Sequence, residues 1–111
     1  MIDTRRLDML RGDLGADGVQ EIMAIFIEEA EQHLARLAAA EDAAEQERPL
    51  HSLRGGALNL GFADLALAAR AAETAVRAGR ALGADDIADL RALWQVSRAA
   101  FARLAPDCLP A

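Results

Sequence analysis

The 111-residue sequence is poor in several residue types, and each shortage excludes a class of protein. It has a single cysteine, Cys108, so an intramolecular disulfide and a cysteine-based metal cluster are both excluded, and a reducing compartment is the simplest expectation. Only 3 prolines accompany 53% hydrophobic residues, which is the composition of a folded domain and not of a disordered chain. The length predicts one domain over residues 1–111.

Long apolar segments and basic patches are missing as well. No stretch of about eighteen residues is free of charge, and the N-terminal segment carries acidic residues where a targeting sequence would be basic and then apolar. We therefore expect a cytoplasmic protein that neither spans a membrane nor is secreted. Since the net charge is −6 and the twelve arginines are scattered, the sequence also disfavours nucleic-acid binding, which needs clustered cations.

What the sequence does contain is helical periodicity. A long run of apolar residues predicts a helix from about Gly18 to Ala40, and Leu7 and Leu10 predict a short helix over residues 3–11 that caps one end of the fold. Three further helices are predicted over about residues 42–61, 63–80 and 85–105. Asp42 is predicted to cap the first of these three, and Asp85 or Asp86 the last, which ends at Pro106. Four amphipathic helices joined by short turns predict an all-α, antiparallel up-and-down four-helix bundle, with its core over about residues 18–105. Because four helices can close one core, we expect a monomer.

Four positions have less regular predictions. Pro49 lacks a backbone donor, so we expect the second helix to kink near residues 45–49 or to restart with Pro49 in its first turn. His33 lies on a mostly apolar stripe and is predicted to be partly buried and hydrogen-bonded. Glu73 is predicted to be solvated, and Cys108 to lie in a tail.

The segment after Pro49 carries the candidate site. Residues three and four apart are neighbours on a helix surface, so His51, Arg54 and Gly55 share one stripe that projects from the flank of the bundle. An imidazole is a nucleophile near neutral pH, a cation one turn later can hold an anionic group, and glycine lets another protein approach closely. This combination predicts a phosphoryl-accepting site, and Leu58 and Asn59 extend it as a docking face for a partner.

Phosphoryl transfer needs more than a nucleophile and one cation. The double glycine, Gly55 and Gly56, lies in a helical pattern without the spacing, lysine and hydroxyl residue of a nucleotide-binding loop. No pair of acidic residues is predicted to converge on His51 and hold magnesium. We therefore expect no intrinsic metal site, cofactor or ATP site, and we expect the partner to supply the acidic pocket and the Mg²⁺.

The segment HSLRGGALNLGF, residues 51–62, resembles the signature of histidine-containing phosphotransfer (HPt) domains of two-component phosphorelays. The pattern is His, any residue, Leu, Lys or Arg, Gly, and a second Gly six residues later; the resemblance covers most of residues 2–80, and Ala72-Glu73 falls where the family commonly has Leu-Glu. It implies a helical bundle whose His51 accepts a phosphoryl group from a receiver-domain phosphoaspartate and passes it to another response-regulator receiver, without using ATP. It also implies a hybrid histidine kinase as a further partner, phosphate stabilisation by Arg54, clearance at Gly55, and orientation or partner contact by Asn59. Pro49 and Gly56 depart from the usual family pattern.

Two other functions remain open at this point. A binding-only adaptor could dock a receiver or another partner through the same face without transfer, a possibility raised by Pro49 and the double glycine. A fragment of a sensor-kinase dimerisation domain is a third interpretation, because His-Ser-Leu-Arg resembles the His-Glu-Leu-Arg of those segments. Gly55 and Gly56 follow here instead of a Thr-Pro pair, which disfavours it.

Overall fold

The computed structural model describes residues 1–110 and contains four α-helices. They are α1 (Thr4–Ala39), α2 (Ala43–Leu60), α3 (Ala63–Arg77) and α4 (Ala84–Leu104), followed by a 3-10 turn at Pro106–Cys108. Both α1 and α3 pack against α2 and α4, so α2 and α4 lie diagonally across the bundle. Short connections reverse the chain between successive helices, which confirms the predicted all-α four-helix bundle. Within residues 1–110, none of the helices combines the length and the apolar character needed to cross a membrane.

An aromatic cluster joins three parts of the bundle at its centre. Phe62, from the turn between α2 and α3, has its ring centroid 5.4 Å from that of Phe26, 5.5 Å from that of Trp94 and 5.6 Å from that of Phe101. All four side chains are buried. Aromatic pairs at such distances add to the stabilisation from burial, so the turn between α2 and α3 is fixed against α1 and α4 through this cluster.

The N-terminal segment is helical, as predicted, but it is not a separate short helix. Asp3 caps α1 by accepting hydrogen bonds from the backbone N–H groups of Arg5 and Arg6, and the helix then continues to Ala39. Only Gly15, with φ 71° and ψ 170°, leaves helical geometry. The predicted capping helix is therefore the first arm of a kinked α1, and the kink falls at a residue that tolerates positive φ.

Pro49 lies inside a continuous α2, so the predicted restart of the helix at this residue is wrong. Asp42 caps α2 as predicted, since its side chain accepts a hydrogen bond from the N–H of Glu45 at 2.9 Å. The helix is thus already established before the proline, whose side chain is buried. It ends, as predicted, at Gly61, which has φ 83°.

The C-terminal part differs from the prediction in two places. Gly83, and not Asp85 or Asp86, is the N-cap of α4, and the Asp86 carboxylate accepts a hydrogen bond from its N–H at 2.9 Å. Cys108 is buried and does not lie in a loose tail, because the guanidinium of Arg11 holds this segment through Asp107 at 2.8 Å.

Candidate phosphoacceptor site

His51 projects from the outer flank of α2. The core side of this helix is formed by Leu50, Leu53, Ala57 and Leu60, all of which are buried. His51 follows Leu50 by about 100° around the helix, and its side chain is 57% exposed. The structure therefore presents the imidazole to solvent, as the helical spacing predicts.

A buried carboxylate holds one edge of the imidazole. Glu73 Oε2 on α3 lies 2.8 Å from His51 Nδ1, and the Glu73 side chain is only 3% exposed. The prediction that Glu73 is solvated is therefore wrong. The available signal is its register, because Glu73 follows the buried Ala69 by four residues and precedes the buried Val76 by three, which places it on the core stripe of α3.

Two arginines complete the charge balance around Glu73. Arg54 Nε lies 3.3 Å from Glu73 Oε1, and Arg77 NH2 lies 3.3 Å from Glu73 Oε2. Arg77 also pairs through Nε with Glu47 Oε1 at 2.9 Å. A carboxylate this deeply buried requires such partners, because desolvation of a lone charge is costly.

The distances around Nδ1 assign the tautomer of the neutral ring. Nδ1 lies 2.8 Å from Glu73 Oε2 but 3.3 Å from Arg54 NH2, and the two contacts demand opposite roles of this nitrogen. The shorter contact, to an anion, is the stronger hydrogen bond, so Nδ1 carries the proton and its N–H donates a hydrogen bond to Glu73. Nε2 then carries the lone pair, and the contact with Arg54 is proximity without a hydrogen bond.

The other predicted site residues lie on the same flank of α2 but differ in their surroundings. Gly55 is exposed, and a Cβ built on it would have no atom within 4 Å. Leu58 is 68% exposed. Asn59 is already engaged, because Arg6 donates to its side-chain oxygen through NH2 and to its backbone oxygen through Nε, both at 2.7 Å.

Gly56, which the sequence singled out as a departure from the family pattern, is the glycine at which two helices meet. A Cβ at this position would lie 2.7 Å from Cε1 of Phe26, a buried ring of the aromatic cluster. Gly56 therefore allows a close contact within the fold, whereas Gly55 faces the open space that the predicted approach of a partner requires.

Apolar side chains on the neighbouring helices extend the exposed surface around His51. Leu67 of α3 is 64% exposed and lines a groove of about 430 Å³ together with Leu58, Arg54 and Arg70. On the other side of α2, Ile25 of α1 is 56% exposed. Sequence reasoning identified Leu58 but not Leu67 or Ile25, because only the packing of the helices shows which flanks of α1 and α3 border α2.

The second histidine, His33, is half-buried as predicted, but the predicted hydrogen bond is absent. Its Nδ1 is buried without a hydrogen-bond partner among the described residues. Burial lowers the pKa of His33 below its ordinary value, because the charged ring would lose solvation; nearby Glu29 opposes this effect and Arg36 adds to it.

Within residues 1–110, no group of three or more His, Cys, Asp and Glu side chains is placed so that it could hold a metal ion. The carboxylate nearest to the imidazole, Glu73, is already engaged by His51, Arg54 and Arg77. The donor set around His51 therefore does not fit a resident Mg²⁺ ion, which prefers several oxygen ligands.

The model of the Hpt domain family matches residues 21–103. The matched region includes α2 with His51 and α3 with Glu73. Neither a curated protein nor a solved structure matches the chain. The family match confirms the resemblance seen in the sequence and argues against a kinase dimerisation segment. Because the match covers well over half of its residues, this chain belongs to the Hpt domain family.

Proposed function

We propose that this chain is a phosphorelay intermediate whose His51 accepts a phosphoryl group from the phosphoaspartate of a receiver domain and passes it to another response-regulator receiver. The observation that carries the proposal is the geometry of the exposed imidazole, whose Nδ1 lies 2.8 Å from the buried carboxylate of Glu73. This contact leaves Nε2 as the nucleophilic nitrogen. Family membership supports the same chemistry, because Hpt domains carry phosphoryl groups and have no ATP site of their own.

The proposed transfer forms one bond and breaks one bond. The Nε2 lone pair attacks phosphorus, the phosphorus–oxygen bond to the receiver aspartate breaks, and its electron pair leaves on the aspartate carboxylate. No proton moves, since Nδ1 already carries one, and the ring becomes cationic. The Glu73 carboxylate stabilises that positive charge, as a fixed carboxylate does for other reactive imidazoles. Transfer to the next receiver reverses these steps.

Arg54 is the residue best placed to contact the transferred group. Its Nε faces Glu73, but a guanidinium has five N–H donors in a fixed fork, so others remain for phosphoryl oxygens. Its NH2 lies 3.3 Å from His51 Nδ1, which keeps the positive charge beside the ring. Arg54 therefore supplies electrostatic stabilisation without covalent chemistry.

The exposed stripe beside His51 is the proposed docking face. Leu58 offers apolar area, open space surrounds Gly55, and Asn59 is held in place by Arg6. A receiver domain that docks there would bring its own acidic pocket and the Mg²⁺ that neutralises the phosphoryl oxygens. Receivers and a hybrid histidine kinase that carries one are the proposed partners.

A transfer assay with labelled receivers tests the proposal. Receiver domains of the source organism are labelled with radioactive phosphate through a small-molecule phosphodonor and are then incubated with this chain. We expect acid-labile label on the wild type and on His33→Gln, and none on His51→Gln. Label that persists on His51→Gln would refute the assignment.

The same assay separates the relay from a binding-only adaptor, which would form a complex but acquire no label from any receiver. The two features that suggested the adaptor have structural explanations, since Pro49 lies in an unbroken helix and Gly56 makes room for Phe26. No observation of the structure favours the adaptor over the relay.

A further inference from the structure

A polar groove lies between the end of α1 and the beginning of α2. Its volume is about 590 Å³. We call it the basic groove and define it by six of the residues that line it, which are His33, Arg36, Glu45, Arg48, Pro49 and Ser52. None of these residues has a role in the transfer chemistry proposed above.

The groove concentrates positive charge in an acidic protein. Neither Arg36 nor Arg48 forms an ion pair within residues 1–110, although the chain has a net charge of −6. The one carboxylate of the groove, Glu45, pairs with neither arginine; its Oε2 accepts a hydrogen bond from the backbone N–H of Glu41 at 2.9 Å. Two guanidiniums with unused donors therefore face a space that could hold an anion.

His33 adds a third polar group to the wall. Its Nδ1 is buried without a partner, and an N–H donor buried in that way would be costly. The neutral ring avoids this cost by carrying its proton on Nε2, which leaves Nε2 as a hydrogen-bond donor. The lowered pKa of His33, caused by burial, agrees with a neutral ring.

The position of the groove links it to the phosphoacceptor. Arg48 precedes His51 by three residues and therefore lies one helical turn away, while Ser52 is the next residue in the chain. Arg48, His51 and Ser52 are all exposed. A protein docked over the imidazole therefore lies beside Arg48 and Ser52, so the same partner can reach both surfaces.

We propose that the basic groove binds carboxylate side chains of the protein that docks on His51, and that this contact helps to select the partner. The inference rests on the proposed relay function, because it takes the docked protein to be a receiver. Complementary charges at an interface mainly accelerate association and exclude wrong partners, so the groove acts on recognition and leaves the chemical step unchanged.

The two histidines allow a direct test, because histidine-selective ¹³C labelling gives one probe in the groove and one at the phosphoacceptor. A hexaglutamate peptide is titrated at low salt into the wild type, into Arg36→Gln/Arg48→Gln, and into Arg98→Gln/Arg103→Gln. The last variant is the matched control, because it removes the same charge from α4, which does not touch α2. We expect a saturable shift of the His33 ring signals in the wild type and in the control, and at least about a tenfold weaker affinity in the groove variant.

Inorganic phosphate is titrated in parallel to identify the source of the anion. An unmoved His33 signal with hexaglutamate, or an equal response in the groove variant, would overturn the proposal. Tighter binding of phosphate than of hexaglutamate would also overturn it, because the groove would then be a site for small anions. Amide spectra of each variant show whether the fold is intact.

A relay measurement completes the test. With any receiver that labels His51, we expect kcat/KM for transfer to fall about tenfold in Arg36→Gln/Arg48→Gln at low salt, while saturating receiver restores the wild-type rate and the α4 control is unaffected. An unchanged kcat/KM would refute the role in docking. If no receiver labels His51, the relay function fails, and the hexaglutamate titration still decides whether the groove binds carboxylates.

Discussion

At the scale of single residues, the site depends on a carboxylate that the fold has buried beside the proposed nucleophile. Glu73 is 3% exposed yet contacts His51, Arg54 and Arg77. A solvated carboxylate would be mobile, whereas this one is fixed by packing and by its three partners. Its fixed position selects which imidazole nitrogen is free to react.

Glu73→Gln tests this role. The amide keeps the size of the side chain, and its oxygen can still accept a hydrogen bond from the Nδ1–H, but it cannot neutralise the cationic ring formed after attack. We expect the single-turnover rate of His51 phosphorylation to fall about a hundredfold. In the wild type, the nitrogen chemical shifts of neutral His51 should report a protonated Nδ1 and an unprotonated Nε2.

Glu47→Gln is the control for that experiment. Glu47 belongs to the same network, through its 2.9 Å contact with Arg77, but does not touch the imidazole. We expect little change in the rate of phosphorylation. An equal loss in both variants, or a proton found on Nε2 in the wild type, would contradict the role assigned to Glu73.

His33 gives a prediction about pH. Its pKa is lowered in the folded protein from the ordinary value of 6.5, mainly by burial. At a pH between the lowered pKa and 6.5, the unfolded chain therefore binds more protons than the folded one. The free energy of unfolding should therefore be highest above about pH 6.5 and should decrease as the pH falls toward the folded pKa.

Urea unfolding at about pH 7.5 and about pH 5.5 measures this contribution, and the ordinary histidine pKa lies between the two values. His33→Gln should lose less stability on acidification than the wild type does. His51→Gln, which alters the exposed histidine, should keep the decrease that is due to His33. An identical pH dependence in the wild type and His33→Gln would contradict the prediction.

The sequence predicts some of these residues better than others, for a physical reason. His51, Arg54 and Gly55 lie on one helix, where spacing alone brings them together. Glu73 comes from a different helix, and its contact with His51 depends on how α2 and α3 are rotated against each other. A charged residue on an apolar stripe is an ambiguous signal, because it marks either an irregular stripe or a buried ion pair.

At the scale of the helices, α2 contains two adjacent glycines that face different surroundings. A Cβ on Gly55 would meet nothing within 4 Å, whereas a Cβ on Gly56 would lie 2.7 Å from the Phe26 ring. That ring is packed against Phe62 and Trp94, so it has little freedom to move away. One glycine leaves an outer surface open, and the other lets α1 and α2 approach.

The pair Gly55→Ala and Gly56→Ala should therefore change stability in opposite directions. Alanine favours a helix interior by about 1 kcal/mol, so Gly55→Ala should raise the free energy of unfolding by about 0.5–1 kcal/mol. In Gly56→Ala the cost of overpacking, about 1–3 kcal/mol, should exceed that gain and lower stability. Denaturant unfolding measures both, and a stabilised Gly56→Ala would show that Phe26 relaxes freely.

The helices themselves were predictable wherever one local signal dominates. Asp42 and Gly61 bound α2 as expected, because capping and positive φ are local properties. Two local signals were overridden by the rest of the fold. Residues beyond 11 continue the first helix until Gly15, and α2 passes through Pro49 because it is already capped upstream and because the proline ring is buried.

At the scale of the whole molecule, the bundle separates the proposed docking face from an opposite face. α2 carries His51, and α4 lies diagonally across from it without contact. Exposed apolar residues occur on both sides, since Leu58 is on α2 and Val96, 52% exposed, is on α4. Exposure alone therefore does not identify the proposed docking face. The position of an exposed apolar residue relative to the imidazole is the better criterion.

A matched pair of substitutions tests this division. Leu58→Asp and Val96→Asp each replace an exposed apolar side chain on a helix with the same charged one, so they change the net charge equally. Because Leu58 lies two helical turns after His51 on the same flank, we expect Leu58→Asp to weaken binding of a transferring receiver by about tenfold. Val96→Asp should bind like the wild type. Calorimetric titration with that receiver gives both affinities. Equal weakening by the two variants, or a loss confined to Val96→Asp, would mean that the partner does not approach through the face that presents the imidazole.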